Sequence, residues 1–309
     1  MSIAGVGTPT DEASAGTLMR RAALASLGVS VLLVAIKTFA YFATGSVSML
    51  AALADSALDL FTATLNLIAI HSALTPADAE HRFGHGKAEP LAGLAQGAFI
   101  AGSATFLVVQ AINRLIAPQP VENTATALVV MIISLVCAGG LVLYQRHVVA
   151  KTQSVAVSAD SVHYVTDLLT NIGVVVAILL VSVFGWQEAD PIVALCVAAL
   201  MVFGAWTVFR QSYDQLMDRE LPDEDRERIK AIVMRHTEVR SLHDLRTRAA
   251  GTTAFIQLHI ELDPAMSLMR AHEVSDSVEL DLCQAFPRAE VIIHQDPAGV
   301  EMPQALAKS

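Results

Sequence analysis

Cysteine is nearly absent: the 309 residues contain three, with Cys137 and Cys196 in apolar runs and Cys283 in a segment of helical pattern. That excludes a disulfide framework and a thiolate zinc site. Positive charge is also short, 20 Lys and Arg against 30 Asp and Glu, and the formal net charge of −10 argues against nucleic acid as a partner while suiting cations. No charged leader with a small-residue cleavage site precedes the first apolar run, so a removable signal peptide is not expected. The motif His-Glu-x-x-His is missing, which removes the membrane-metalloprotease reading; the chain is not expected to be an enzyme. No solenoid-type repeat is evident.

What the chain has in abundance is apolar sequence, 54% of all residues, with little charge before residue 210. Six runs, at about 20–43, 47–73, 89–116, 124–147, 160–184 and 189–212, each approach the roughly 20 residues a helix needs to cross ~30 Å of hydrocarbon. The expected fold is an all-α membrane domain, a six-transmembrane-helix bundle over 17–213, followed by a cytoplasmic α+β domain over 214–300, with flexible tails at 1–16 and 301–309. The connections sort by charge. Arg20, Arg21, His81, Arg82, Lys87, Arg146 and Lys151 lie on one side; Thr44-Gly45-Ser46, Pro118-Gln119-Pro120 with Glu122, and Glu188 with Asp190 lie on the other. The positive-inside rule makes the first side cytoplasmic, with both termini inside.

After Tyr213 the pattern changes. Pro222-Asp223-Glu224-Asp225 opens an amphipathic helix, with acidic residues where the helix dipole favours them. Segments 242–249 and 253–262 flank Gly251-Thr252 as a hairpin, and Phe255 to Leu262 alternate with period two. A helix at 268–286 and a strand at 290–295 complete an α-β-β-α-β order with helices on one face of a sheet.

Asp55 and Asp59 in span 2 and His163 and Asp167 in span 5 are i,i+4 pairs, so each pair stacks on one helix face. An ionisable group in hydrocarbon costs about 2.5–3.5 kcal/mol on insertion scales. A divalent cation is a compensating partner, and two such pairs supply the four N and O ligands of a tetrahedral zinc site. Lining a water-filled cavity, relaying protons or capping helix ends are the alternatives. Asn66, on nearly the same stripe, and Asp160, one turn before His163, are read as polar packing or lining of the inward path. Asp78, His81 and His85 cluster between spans 2 and 3, where Gly84 and Gly86 permit tight bending. In the soluble domain His259 shares a strand face with Gln257 and Glu261, and His294 shares one with Asp296. With His243 and His272 they can form a His-rich, carboxylate-bridged site. His71, His147 and His236 match no site and are read as structural or interfacial.

The pairs Asp-Ser-Ala-Leu-Asp and His-Tyr-Val-Thr-Asp resemble the transport signature of the cation diffusion facilitator family, in its bacterial zinc/iron efflux branch. The resemblance runs from about residue 17 to Val300 and includes His81-Arg82-Phe83-Gly84-His85-Gly86-Lys87-Ala88-Glu89 and His294-Gln295-Asp296-Pro297. It implies a metallochaperone-like cytoplasmic domain, a homodimer joined through it, and a secondary active transporter in the bacterial inner membrane. That transporter would export divalent metal from the cytoplasm by proton antiport with alternating access. It implies a loop zinc site at Asp78, His81 and His85, and a binuclear zinc centre at His243, His259, His272, His294 and Asp296, with Asp296 bridging and Gln295 nearby. It also matches Lys87 and Asp218 to a charge pair near the dimer interface. Three carboxylates and one imidazole accept zinc, cadmium, iron(II), manganese or cobalt, but disfavour copper(I) and magnesium. A membrane-anchored metal sensor and a passive metal channel remain rivals.

Overall fold

The computed structural model describes residues 9–44, 47–116, 125–184, 186 and 188–299. The tip residues Gly45, Ser46, Pro118 to Pro120 and Glu122 lie outside these, as do positions 1–8 of one expected tail and all of the other. Six helices come first: α1 (Pro9–Thr44), α2 (Val47–Ala73), α3 (Ala88–Ile116), α4 (Ala125–Thr152), α5 (Val155–Phe184) and α6 (Ala189–Leu216). Five stretches, Ser14–Thr44, Ala52–Ala73, Ala88–Ile116, Val129–Thr152 and Ala189–Leu216, are long and apolar enough to cross a membrane. α5, at 30 residues, completes the six.

The spans are where expected, and their ends are not. α1 begins at Pro9, inside the segment expected to be a flexible tail. Proline suits a first helical position, so the helix signal begins before the apolar one. α4 and α5 likewise extend beyond their apolar runs and leave only Gln153 and Ser154 between them.

Lipid provides no hydrophobic drive between helices, so close packing and polar contacts hold the bundle. Gly93 of α3 shows how close: a Cβ there would lie 2.2 Å from Ser212 Oγ of α6. Two to three turns on, Ile100 and Ala104 pack on Val197, Met201 and Ala205. At the other end of the same two helices Arg114 Nη1 meets Asp190 Oδ2 at 2.5 Å. On the opposite flank Met19, Ala22 and Ala23 of α1 bury against Ile70, Val148, Ala156 and Val157.

Residues from Asp214 onward form a second compact unit, apart from Gly16–Tyr213. It contains α7 (Asp223–Val233), β1 (Ser241–Ala250), β2 (Thr253–Leu262), α8 (Leu268–Ala285) and β3 (Ala289–Pro297). The sheet order is β1-β2-β3, with β1 antiparallel and β3 parallel to the central β2. Gly251, at φ +61, occupies the first of two turn positions between β1 and β2, where a type II′ hairpin requires glycine. Ser267 caps α8 by accepting the Arg270 N–H at 3.3 Å. Ile256, Leu258 and Ile260 of β2 are buried against Ile229, Ile232 and Val233 of α7 and Val274, Val278 and Leu282 of α8. Each such side chain contributes about 1.5–3 kcal/mol of apolar burial. Because side chains alternate along a strand, this core leaves Gln257, His259 and Glu261 on the opposite, open face.

Candidate metal centres

Side chains from α2 and α5 meet inside the bundle. His163 Nε2 lies 3.1 Å from Asp59 Oδ1 and 3.7 Å from Asp167 Oδ2, and the three ligand atoms lie within 4.8 Å of one another. Local bonds hold the backbone of each. Thr62 Oγ1 donates to the Asp59 carbonyl at 3.0 Å, Thr166 Oγ1 to that of His163 at 2.6 Å, and Asn171 Nδ2 to that of Asp167 at 2.9 Å. The His163 ring stands edge-on to Tyr164 at 5.6 Å, and the Tyr164 hydroxyl is anchored 2.7 Å from Ser30 Oγ. Asp55, one turn before Asp59, is exposed and lies outside the trio, so three of the four expected ligands converge. Its neighbour Ser56 accepts a 2.6 Å hydrogen bond from Lys37 Nζ, which gives that intramembrane cation a partner.

Asp160 is 1% exposed and accepts from Gln145 Nε2 at 2.6 Å and Gln96 Nε2 at 3.4 Å, the polar packing expected of it. Asn66 is similarly buried, and neither atom of its amide has a hydrogen-bond partner among the described residues. The glutamines and serines around Asp160 and Tyr164 were not singled out in the sequence; single polar residues in apolar runs were their only signal.

The loop between α2 and α3 brings Asp78, His81 and His85 together as expected. Asp78 Oδ1 accepts the backbone N–H of His81 at 2.6 Å and of Glu80 at 2.9 Å, while Gly84 at φ +74 turns the chain. His81 Nδ1 and His85 Nε2 lie 3.4 and 3.5 Å from the Asp78 carboxylate. The His81 N–H holds the Asp78 carboxyl below its ordinary range, which favours its ionised form.

On the open sheet face the strand register aligns His243 with His259 and His259 with His294, one histidine per strand. Asp296 lies among them: its Oδ2 is 2.8 Å from His259 Nδ1 and 3.2 Å from His243 Nε2, and its Oδ1 is 3.3 Å from His294 Nε2. A zinc ion fits this donor set, because His243 Nε2, though 3.2 Å from Asp296, is buried and makes no hydrogen bond of acceptable geometry among the described residues, and so has a lone pair or proton uncommitted at the point of convergence. The ligand atoms of His243, His259 and Asp296 lie within 4.8 Å of one another, and His294, which meets Asp296 at Oδ1, stands outside that trio. Two further expected members do not join. Gln295 faces the helix layer, where its amide donates to Ser275 Oγ at 2.8 Å and to the Ala271 carbonyl at 3.3 Å. Period-two alternation puts it on the face opposite His294 and Asp296. His272 is exposed on α8, 3.4 Å from Asp276. His236, read as structural, pairs with Asp281 at 3.2 Å. Lys87 precedes α3, and Asp218, just after α6, lies 3.3 Å from Arg248.

A six-helix membrane domain with a histidine–carboxylate trio at its centre, joined to a histidine-bearing sheet domain, defines a multi-pass protein that handles metal cations. Residues 23–217 match the cation efflux transmembrane domain family, and residues 221–298 match the cation efflux protein cytoplasmic domain family. The cation-efflux pumps FieF of Klebsiella pneumoniae and of Escherichia coli strain K12/DH10B are each 45% identical over 287 residues, covering 93% of this chain and 95% of theirs. The metal-bound C-terminal domain of the CzcD transporter from Thermotoga maritima is 29% identical, with a TM-score of 0.25, covering 26% of this chain and 100% of that one. The chain belongs to the cation efflux, or cation diffusion facilitator, family and is FieF-like.

Proposed function

We propose that this cation-efflux protein is a secondary active transporter that exports zinc, and to a lesser extent cadmium, iron(II) or manganese, from the cytoplasm in exchange for protons. The observation that carries the reading is His163 Nε2 placed between Asp59 and Asp167 on two packed helices. A nitrogen between two carboxylates carries either a proton or a metal ion. Binding the ion therefore expels a proton, and reprotonation favours release. Asp55 supplies the fourth ligand after a side-chain or helix adjustment of one turn, which fits a site whose coordination changes as the bundle alternates between inward and outward access. The charge asymmetry of the connections orients the chain with both termini and the sheet domain in the cytoplasm of the bacterial inner membrane. The sheet domain pairs two copies into a homodimer. Zinc at the loop trio and at the sheet cluster stabilises one arrangement of that dimer, which requires different affinities in the two transport states. Lys87 and Asp218 add a charge interlock.

Proteoliposomes with a metal-sensing dye and a pH dye inside test the mechanism. Zinc uptake against its gradient with opposed proton flow is expected, and Asp59→Ala or Asp167→Ala should abolish it. Zinc flux without proton flow would refute antiport. Flux that never exceeds the external concentration would indicate a channel, and zinc binding without any flux, undiminished in both variants, would indicate a sensor. Competition among zinc, cadmium, iron(II) and manganese ranks the cargo.

A further inference from the structure

Two carboxylates stand behind the histidines of the sheet cluster. His243 and His259 point Nε2 and Nδ1, respectively, at Asp296, so each turns its second ring nitrogen away from the point of convergence. Asp244 Oδ2 lies 3.7 Å from His259 Nε2, and Glu261 Oε1 lies 3.9 Å from His243 Nδ1. Both gaps exceed hydrogen-bond length, and side-chain rotation closes them once the facing nitrogen carries a proton.

Asp244 comes to this face by an irregularity. Successive strand residues point to opposite faces, so the neighbour of His243 belongs to the helix side. The register instead breaks between His243 and Arg246, and Asp244 takes a left-handed backbone with φ +47. That bulge turns the Asp244 carboxylate back toward the histidines. Its other oxygen, Oδ1, accepts Arg246 Nε at 2.9 Å, so the group is held from behind in the order Arg246, Asp244, His259, Asp296. Few non-glycine residues adopt this backbone, and Asp and Asn are the commonest of them.

We propose that Asp244 and Glu261 are positioning residues for the cytoplasmic zinc centre. Glu261 accepts the Nδ1–H of His243 and Asp244 accepts the Nε2–H of His259 when the opposite nitrogens hold the ion. This sets complementary tautomers, metal on Nε2 of one ring and on Nδ1 of the other, and makes both nitrogens better donors to the metal. The inference rests on the reading that the cluster binds zinc.

The test uses the full chain in detergent with Asp59→Asn and His81→Ala to silence the membrane and loop trios, and zinc affinity read by competition with a chromophoric chelator. Asp244→Asn tolerates the left-handed backbone and Glu261→Gln keeps the side-chain size, so each removes the charge with the shape retained. Each is expected to weaken zinc binding about 10- to 100-fold. Asp244→Asn should add less than about twofold in a His259→Ala protein but keep its effect in His243→Ala, and Glu261→Gln should show the reverse. Unchanged affinity in both variants would overturn the proposal. So would equal losses in matched and crossed backgrounds, which would indicate a general loss of negative charge. If the silenced protein holds no zinc that His259→Ala removes, the reading beneath the proposal fails with it, and that result is distinct from the other two.

Discussion

Glu89 is 1% exposed in the first turn of α3, a charged side chain with no place in the metal trios. Its carboxylate accepts the Ser154 hydroxyl and, at 3.4 Å, the N–H of Ala156. Ser154 Oγ in turn accepts the Val157 N–H at 3.3 Å. The carboxylate thus caps the start of α5, where helix N–H groups lack intrahelical partners and the dipole favours negative charge. Two turns further along α5 is His163. Hydrogen bonds to a charged group contribute about 1.5–3 kcal/mol each, so Glu89→Ala, which removes two hydrogen bonds to one carboxylate oxygen, should cost about 3–6 kcal/mol. Glu89→Gln retains an acceptor oxygen and loses the charge, for a cost of about 1–2 kcal/mol. Thermal denaturation of the purified protein in detergent, followed by helical circular dichroism, should rank the midpoints wild type, then Gln, then Ala. Zinc binding at the membrane trio should weaken in the same order, because the cap sets the position of α5. An Ala variant as stable as wild type would refute this account, and a Gln variant as damaged as Ala would refute the part assigned to the retained acceptor.

Three further outcomes are expected. Gln145→Leu removes the 2.6 Å donor to buried Asp160 and should cost about 2–3 kcal/mol of stability, seen as a lowered midpoint in the same denaturation. Leu258→Ala opens a cavity in the sheet-domain core and should cost about 2–5 kcal/mol, measured as faster limited proteolysis after Tyr213. Hydrogen bonds from Arg270 at 2.6 and 3.0 Å hold the Glu238 carboxyl below its ordinary 4.5. A group depressed on folding contributes stability that is complete above its ordinary value and is lost as pH falls through the folded value. Arg270→Ala should return Glu238 to near its ordinary titration, read by carboxyl NMR of selectively labelled protein, and remove that contribution above pH 4.5, with the two proteins converging in stability as the pH falls further.

Much of the architecture was legible because it follows from local periodicity. Apolar runs of membrane-spanning length located six helices, and alternation from Phe255 to Leu262 located the central strand and its buried face. Helix ends were less legible. α1, α4 and α5 continue past their apolar runs, since capping and turn chemistry at Pro9 and Ser154, rather than hydropathy, decide where they begin and end. The metal groups followed the same division. Asp59, His163 and Asp167 were identified by i,i+4 spacing, and Asp78, His81 and His85 by proximity in the chain. Gln295 was carried in by resemblance, against the alternation that places it among the helices.

The sequence alone determined which residues share a helix stripe or a strand face, because backbone hydrogen bonding sets those periods whatever surrounds them. Tertiary structure decided which stripes meet. It brought His163 between Asp59 and Asp167 while leaving Asp55 one turn away, aligned three histidines across three strands, and kept His272 out of their row. It also decided a place where local periodicity fails, the bulge that turns Asp244 to the metal-binding face. Distances between elements depend on packing and register, and neither is written into the spacing of residues along one chain segment.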